Sequence, residues 1–194
     1  YPEVQTILQG VTVGGKNIED HKLVERLGRA YKELFTMVEE GTFAVNKETA
    51  CHLHAVVAEH EAMTWGEFRT GNVNIHGATA WTPPDHTLLG GLWEECMARF
   101  NSCPPEAERA YTLFLEMCRN QFFYDANKRT ARIMMNGALI VQGQKGLTIP
   151  EKRLLEFNEA MIRFYDSGDM KEMLRFLAKC AAGYGTCSFK GNRV

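Results

Sequence analysis

The sequence predicts a mainly α-helical domain that carries one short β-hairpin. Apolar residues recur at helical spacing along most of the chain, and capping residues, glycines and prolines separate these runs. One stretch rich in glycine and proline alternates between apolar and polar residues instead. Because 194 residues suffice for one filled core, we predict a single domain. It comprises an N-terminal helical segment (1–45), a core (46–183) and a tail (184–194).

Seven segments have the apolar periodicity of helices. In chain order they cover residues 17–40, 45–61, 85–102, 104–123, 126–142, 150–165 and 169–183. Asn17, Asn46 and Asp85 are the predicted N-caps of the first three helices. Gly41 and Gly168 are the predicted ends of the first and sixth, because glycine readily takes the left-handed conformation that closes a helix.

The exception to the helical pattern is EFRTGNVNIHGATAWTPP, residues 67–84. Val73 and Ile75, and then Thr79 and Trp81, alternate with polar residues between glycines and prolines. This alternation predicts a two-stranded hairpin, which must lean on the helices because two strands alone are only marginally stable. The alternative interpretation is an ordinary surface loop.

Polar residues stand directly before the fifth helix, in DANKRTAR, residues 125–132. The apolar run starts after Asn127, so the helix should begin near 126–128, where its unpartnered N–H groups form an anion site. Arg129 and Arg132 share one helix face and suit bidentate phosphate contacts. Asp125 supplies one carboxylate for a phosphate-bound Mg²⁺. The alternative is an N-capping aspartate followed by two solvated arginines.

Composition argues against several classes of protein. A net charge of −2 gives no basic surface for nucleic acid, and no apolar run is long enough to span a membrane. The first residues lack the pattern of a signal peptide, and the missing initial Met suggests a fragment or missing first residues. The six cysteines form no CxxC pair and no zinc pattern, so we predict mostly buried thiols in a cytoplasmic protein.

The stretch QFFYDANKRTAR, residues 121–132, resembles the signature of the Fic/Doc (Fido) family, His-x-Phe-x-Asp/Glu-Gly/Ala-Asn-Gly/Lys-Arg-x-x-Arg. Every position fits except the first, where this chain has Gln121. Residues 4–34 resemble the segment that precedes the family's core, and residues 68–84 resemble its flap, the hairpin that docks the target protein. The resemblance implies a Fido-type helical bundle with a small β-hairpin flap.

The resemblance also implies a reaction and a set of site residues. Proteins of this kind transfer AMP from Mg·ATP to a Ser, Thr or Tyr hydroxyl of a target protein. Asp125 would hold Mg²⁺, and Phe123 would anchor the loop in the core. The phosphate-binding positions would be Ala126, Asn127, Lys128, Arg129 and Arg132. The target would pair by strand addition with Asn72, Val73, Asn74, Ile75 and His76.

Two departures from the signature leave alternatives open. Gln121 cannot act as the general base, so transfer is expected to be reduced or lost unless His76 or His86 replaces it. The protein would then be an ATP- or protein-binding regulator or a toxin–antitoxin component. Ala126 and Lys128 are closer to the Doc branch, whose members transfer the terminal phosphate. The chain length and N-terminal segment favour the AMP-transferring branch.

Many members of this family also carry an inhibitory helix with the pattern Ser/Thr-x-x-x-Glu-Gly/Asn, whose glutamate pairs with the second motif arginine, here Arg132. Thr36, Glu40 and Gly41 fit that pattern, but they end the first predicted helix, and we interpret them as a solvated helix end. We expect the true element to precede Tyr1 or to come from a partner chain.

Overall fold

The computed structural model describes residues 18–75, 80–104 and 106–183, and this part of the chain is mainly α-helical. Its helices are α1 (Ile18–Glu39), α2 (Lys47–Val57), α3 (Leu89–Ser102), α4 (Ala107–Asn120), α5 (Asn127–Val141), α6 (Leu154–Ser167) and α7 (Lys171–Gly183). Single 3₁₀ turns, His86–Leu88 and Glu151–Arg153, precede α3 and α6. Asn17, His76 and the tail at 184–194 lie outside the described residues.

Caps set the helix boundaries much as the sequence predicts. The Asn46 side chain accepts a hydrogen bond from the Thr49 N–H (2.8 Å), and Asp85 accepts one from Thr87 (2.9 Å). Gly168 closes α6 in the left-handed region, with φ +72°. The predicted caps at Asn46 and Asp85 and the helix end at Gly168 are therefore confirmed. Each depends only on residues a few positions away in the sequence.

Two predicted helix ends are wrong. The second helix was expected to run to residue 61 but stops at Val57, and His60 takes a positive φ of 59° in the loop that follows. The fourth was expected to run to residue 123 but stops at Asn120, because Gln121 adopts the left-handed conformation. Beyond both helix ends the chain contacts residues that are distant in sequence. Glu61 accepts from Arg129, and the Gln121 carbonyl accepts from Arg69.

Helix α5 is the centre of the bundle. It packs against α1, α2 and α4, and every residue from Ile133 to Leu139 is buried, so this stretch of the helix is enclosed on all sides. Gly137 lies in this stretch and faces Phe43 and Leu34. A Cβ atom built on Gly137 would lie 2.2 Å from the Phe43 ring, so the close approach of these residues depends on glycine here. The start of α5 is thereby fixed by a rigid core.

The predicted hairpin is not established by the described residues. Residues 67–75 and 80–84 contain no strand, and residues 76–79, where the turn was expected, lie outside the described part. The hairpin therefore stays a prediction. None of the described helices combines the length and the apolar character needed to cross a bilayer.

We expect Gly137→Ala to lower the free energy of unfolding by about 1–3 kcal/mol, because the new methyl group overpacks the contact with Phe43 and Leu34. Urea denaturation monitored by circular dichroism would measure the change. Gly91→Ala in α3 is the matched control: nothing lies within 4 Å of its Cβ position, so higher helix propensity should leave stability equal or raised. Equal effects at both positions would contradict the packing argument.

Candidate active site

A pocket of about 470 Å³ opens at the N-terminal end of α5. It brings together the motif loop 121–126, the first turns of α5, one limb of the predicted flap and one face of α6. Its lining residues are Asn74, Ile75, Gln121, Tyr124, Asp125, Ala126, Asn127, Lys128, Arg129, Arg132, Asn158, Met161, Ile162 and Tyr165. The structure therefore gathers the predicted phosphate-binding residues in one place, although their roles stay predictions.

The side chain of Asn127 holds the motif loop closed. Its Oδ1 accepts a hydrogen bond from the Phe123 N–H (2.8 Å), and its Nδ2 donates to the Phe123 carbonyl (2.7 Å). Nδ2 also donates to Oε1 of Gln121 (3.0 Å). Phe123 itself is buried, as expected for an anchor of the loop. The side-chain amide of Asn127 is thus committed to the loop.

Gln121 occupies a left-handed position, with φ 49° and ψ 62°, directly after α4. Its Nε2 donates to the carbonyl of Cys118 (2.5 Å), while its Oε1 receives the bond from Asn127. Both ends of this amide are therefore engaged by the chain itself. A neutral amide accepts no proton near neutral pH, so the side chain braces the loop without acting as a base.

His54 of α2 supports the motif loop from below, a contact that the sequence analysis missed. Its ring is fully buried and stacks on Phe123, with centroids 3.8 Å apart. Nε2 donates to the Asp125 carbonyl (3.2 Å), and Nδ1 accepts from the Gly66 N–H (3.0 Å). Burial lowers the pKa of His54 to about 4, so the ring is neutral at physiological pH. A polar residue on the apolar face of α2, beside Leu53, is the sequence signal that could have revealed this role.

Arg69 was also missed, and it ties the flap segment to the motif loop. Its guanidinium is almost fully buried and donates to three main-chain carbonyls: those of Gln121 (2.6 Å), Gly71 (2.8 Å) and Pro84 (2.6 Å). The Arg69 N–H donates to the Phe122 carbonyl (2.9 Å). One side chain therefore sets the spacing between the loop and both limbs of the flap.

Further contacts secure the two limbs. Asn72 joins them at the base, donating to Asp85 (3.1 Å) and accepting from the His86 N–H (3.1 Å). The second limb is held by Asp166 of α6, which accepts from the N–H groups of Ala80 (2.7 Å) and Trp81 (3.2 Å). His86 is occupied at this base and does not line the pocket, which removes the support for it as a substitute base.

The cationic residues of the pocket differ in their partners. Arg132 has a buried Nε with no hydrogen-bond partner within the described part of the chain. Arg129, in contrast, forms a bidentate ion pair with Glu61, a residue of the loop after α2. The Lys128 ammonium lies 5.9 Å from the centre of the Phe157 ring. Within the described residues no side-chain hydrogen bond caps α5 at Ala126, so the first N–H groups of the helix are available to an anion beside these cations.

Asp125 is the carboxylate that lines the pocket. Its Oδ1 accepts from the Ala126 N–H (2.5 Å), and its side chain is more than half exposed. Within the described residues no group of three or more His, Cys, Asp and Glu side chains could hold a metal by itself. Mg²⁺ commonly binds through one or two carboxylates together with substrate phosphates, so this donor set fits Mg²⁺ only when a nucleotide is present.

The far wall of the pocket comes from α6, which the sequence analysis assigned to the core. Met161 and Tyr165 are indeed buried there, but with Ile162 and Asn158 they also face the pocket. The wall is mostly apolar and carries one amide. Such a surface suits a flat organic group, with the amide able to bond its polar edge.

The sequence and the fold both have known relatives. Residues 44–139 match the model of the Fic/DOC family. Protein adenylyltransferase Fic of Drosophila mojavensis is 25% identical over 173 residues, which cover 88% of this chain and 34% of that protein. The corresponding protein of Drosophila willistoni is 24% identical over 172 residues, with the same coverage. The chain thus spans about a third of the length of these curated relatives.

Solved structures show the same fold. Residues 134–508 of Fic-1 from C. elegans superpose with a TM-score of 0.80 at 19% identity, over 94% of this chain and 55% of that one. A Fic domain containing signaling protein from Bacteroides thetaiotaomicron gives a TM-score of 0.77 at 15% identity, over 93% of this chain and 76% of that one. At these identities the likeness concerns the fold alone.

We expect the protein to lose stability as the pH falls from about 6.5 to about 4, because His54 binds a proton in the unfolded chain but stays neutral in the folded one. At about 1.4 kcal/mol per unit of pKa, this single residue accounts for roughly 3 kcal/mol across that window. In His54→Gln the drop should shrink accordingly. Urea denaturation at several pH values would measure it.

The matched control is His52→Gln, which removes an exposed imidazole from the same helix and should leave the drop unchanged. An identical loss of stability in the wild type and in His54→Gln would show that His54 does not carry the effect.

Proposed function

Since the chain belongs to the Fic/DOC family, we propose that it binds Mg·ATP in the pocket at the start of α5 and transfers AMP to a hydroxyl group of a target protein. The observation that carries this proposal is the buried, unpartnered Nε of Arg132 beside an uncapped helix N-terminus. Both features favour an anion. The name protein adenylyltransferase, borne by the curated relatives, supports AMP transfer as the class of reaction.

The shape of the pocket supports a nucleotide rather than a bare phosphate. The phosphates would bind the N–H groups at the start of α5 together with Arg132. The base would lie against Met161 and Ile162 of α6, where the amide of Asn158 can bond its edge. Asp125 would hold Mg²⁺, which adds positive charge against the phosphates.

In the proposed reaction the target hydroxyl oxygen forms a bond to the α-phosphorus. The bond from that phosphorus to its bridging oxygen breaks, and pyrophosphate leaves. The hydroxyl proton passes to water, because the engaged amide of Gln121 cannot take it. General base catalysis contributes about 10²–10⁴-fold, so transfer here depends on positioning and charge and is correspondingly slow.

The target protein would dock along the first limb of the flap. Asn74 and Ile75 of this limb line the pocket, so a segment bound there would bring its hydroxyl group close to the phosphates. Main-chain pairing with an added strand needs few side-chain contacts, which suits a limb anchored at its base by Arg69 and Asn72. The hairpin itself, and His76 within it, remain part of this proposal.

A second candidate function is nucleotide binding without transfer, in a regulatory module. The observation that favours it is the pair of hydrogen bonds that hold the Gln121 amide to Cys118 and Asn127. A residue built into the loop in this way has a structural role of its own. Transfer of the terminal phosphate, the Doc-like alternative, rests on Ala126 and Lys128 alone and is distinguished by the same experiment.

We expect intact-mass spectrometry to show slow addition of AMP to a protein hydroxyl after incubation with Mg·ATP, and faster addition by Gln121→His. A gain of about 10²–10⁴-fold is expected, because the imidazole supplies the missing base. Histidine also tolerates the left-handed backbone at this position. AMP adducts on the chain itself and on added proteins would both count as transfer.

Gln121→Asn is the matched control, since asparagine tolerates the same backbone but adds no base. If only Gln121→His adds AMP, the natural chain binds the nucleotide without transferring it, which supports the second candidate function. An added phosphate would support the Doc-like reaction, and absence of any adduct on all three proteins would contradict transfer altogether.

We also expect Arg132→Ala to weaken ATP binding by about 10–100-fold, because a charge-assisted hydrogen bond to phosphate is lost. Isothermal titration calorimetry would measure the dissociation constant. The control is Arg163→Ala. Arg163 is an exposed residue of α6 that pairs with Glu172 of α7, and its removal should leave the dissociation constant unchanged. Equal affinity of the wild type and Arg132→Ala would refute the proposed phosphate site.

A further inference from the structure

Glu61, which lies outside the motif, forms an ion pair with Arg129, one of the two motif arginines. Its Oε2 accepts from Nη1 of Arg129 (2.8 Å), and its Oε1 accepts from Nη2. The carboxylate therefore takes the end-on fork of the guanidinium, which is the arrangement that a phosphate uses. The two partners are 68 residues apart in sequence, so the motif alone does not reveal this contact.

The position of Glu61 is fixed by a second arginine. Nη2 of Arg26 in α1 donates to Oε2 of Glu61 (2.9 Å), and Arg26 is only 8% exposed. An adjacent ion pair, between Arg29 and Glu59, ties the same loop to α1 a second time. The carboxylate is thus held in place and does not depend on Arg129 for its orientation.

Arg129 also has a second carboxylate beside it, because Oδ1 of Asp125 lies 3.6 Å from its Nη2. A phosphate that approaches Arg129 meets two negative groups, and one of them fills the fork. Arg132, one turn further along α5, has no such partner among the described residues. The two motif arginines are therefore unequal in the structure as it stands.

We propose that Glu61 is an internal competitor for the polyphosphate of the nucleotide, holding Arg129 in an ion pair that must be exchanged before this arginine binds phosphate. The inference rests on the proposed function, since it concerns the same pocket. It predicts that the resting site binds phosphate through Arg132 and the helix N-terminus first. Arg26 keeps the displaced carboxylate in place, so the exchange is reversible.

The test is the affinity of Glu61→Gln for ATP, measured by calorimetry. Removing the charge while keeping the shape should tighten binding by about two- to fivefold, as expected for release of a partly exposed ion pair. Glu61→Asp, which keeps the charge but withdraws the carboxylate from Arg129, should tighten it less. This second variant retains a carboxylate for Arg26 if Glu61→Gln folds poorly.

Glu59→Gln is the matched control, because it breaks the neighbouring ion pair with Arg29 without touching the pocket, and it should leave the affinity unchanged. Inorganic triphosphate should respond to Glu61→Gln as ATP does, whereas adenosine should not. In a protein that already carries Arg129→Gln, adding Glu61→Gln should no longer tighten ATP binding.

Two results would overturn the inference, and they are distinguishable. If the wild type binds ATP and Glu61→Gln binds it equally or more weakly, Glu61 does not compete, and the proposed function stands. If neither protein binds ATP, the pocket has no phosphate for Glu61 to exclude, and the proposed function fails as well.

Discussion

The buried guanidinium of Arg69 is the constraint on which the arrangement of the site depends. It donates to main-chain carbonyls on the motif loop and on both limbs of the flap. Three charge-assisted bonds to carbonyl groups offset the cost of burying the charge, and losing one of them would leave a donor unsatisfied. A lysine has no planar fork and cannot reproduce the three directions. The spacing between the motif loop and the two limbs of the flap is therefore set by one side chain.

Around this constraint, the motif loop is assembled from neutral contacts. The imidazole of His54 supports it from α2, and the amide of Asn127 closes it from α5. Neither partner carries a charge at neutral pH, and the positive groups that line the pocket are the start of α5 with Lys128, Arg129 and Arg132. The contacts that His54 and Asn127 make with the loop thus leave the cationic side chains of the pocket unused.

Most of the helices and their caps could be predicted from the sequence, because each depends on neighbours. The motif residues predicted for the site line one pocket, and their roles stay predictions. Asn46 caps α2 through a residue three positions away, and Asp85 and Gly168 act over similarly short distances. The supports of the site could not be predicted in the same way. Arg69 and Gln121 are 52 residues apart, and Glu61 and Arg129 are 68 apart, so only the packing of α1 and α2 against α5 brings such pairs together.

The left-handed backbone at Gln121 also bears on how this chain could change over generations. Histidine and glutamine codons differ by a single base, and the conformation held here accepts either side chain. Exchanging one for the other replaces the side-chain bonds to Cys118 and Asn127, but the main-chain carbonyl that Arg69 holds stays in place. Gain or loss of a proton acceptor at this position is therefore a single-base change that the backbone already accommodates.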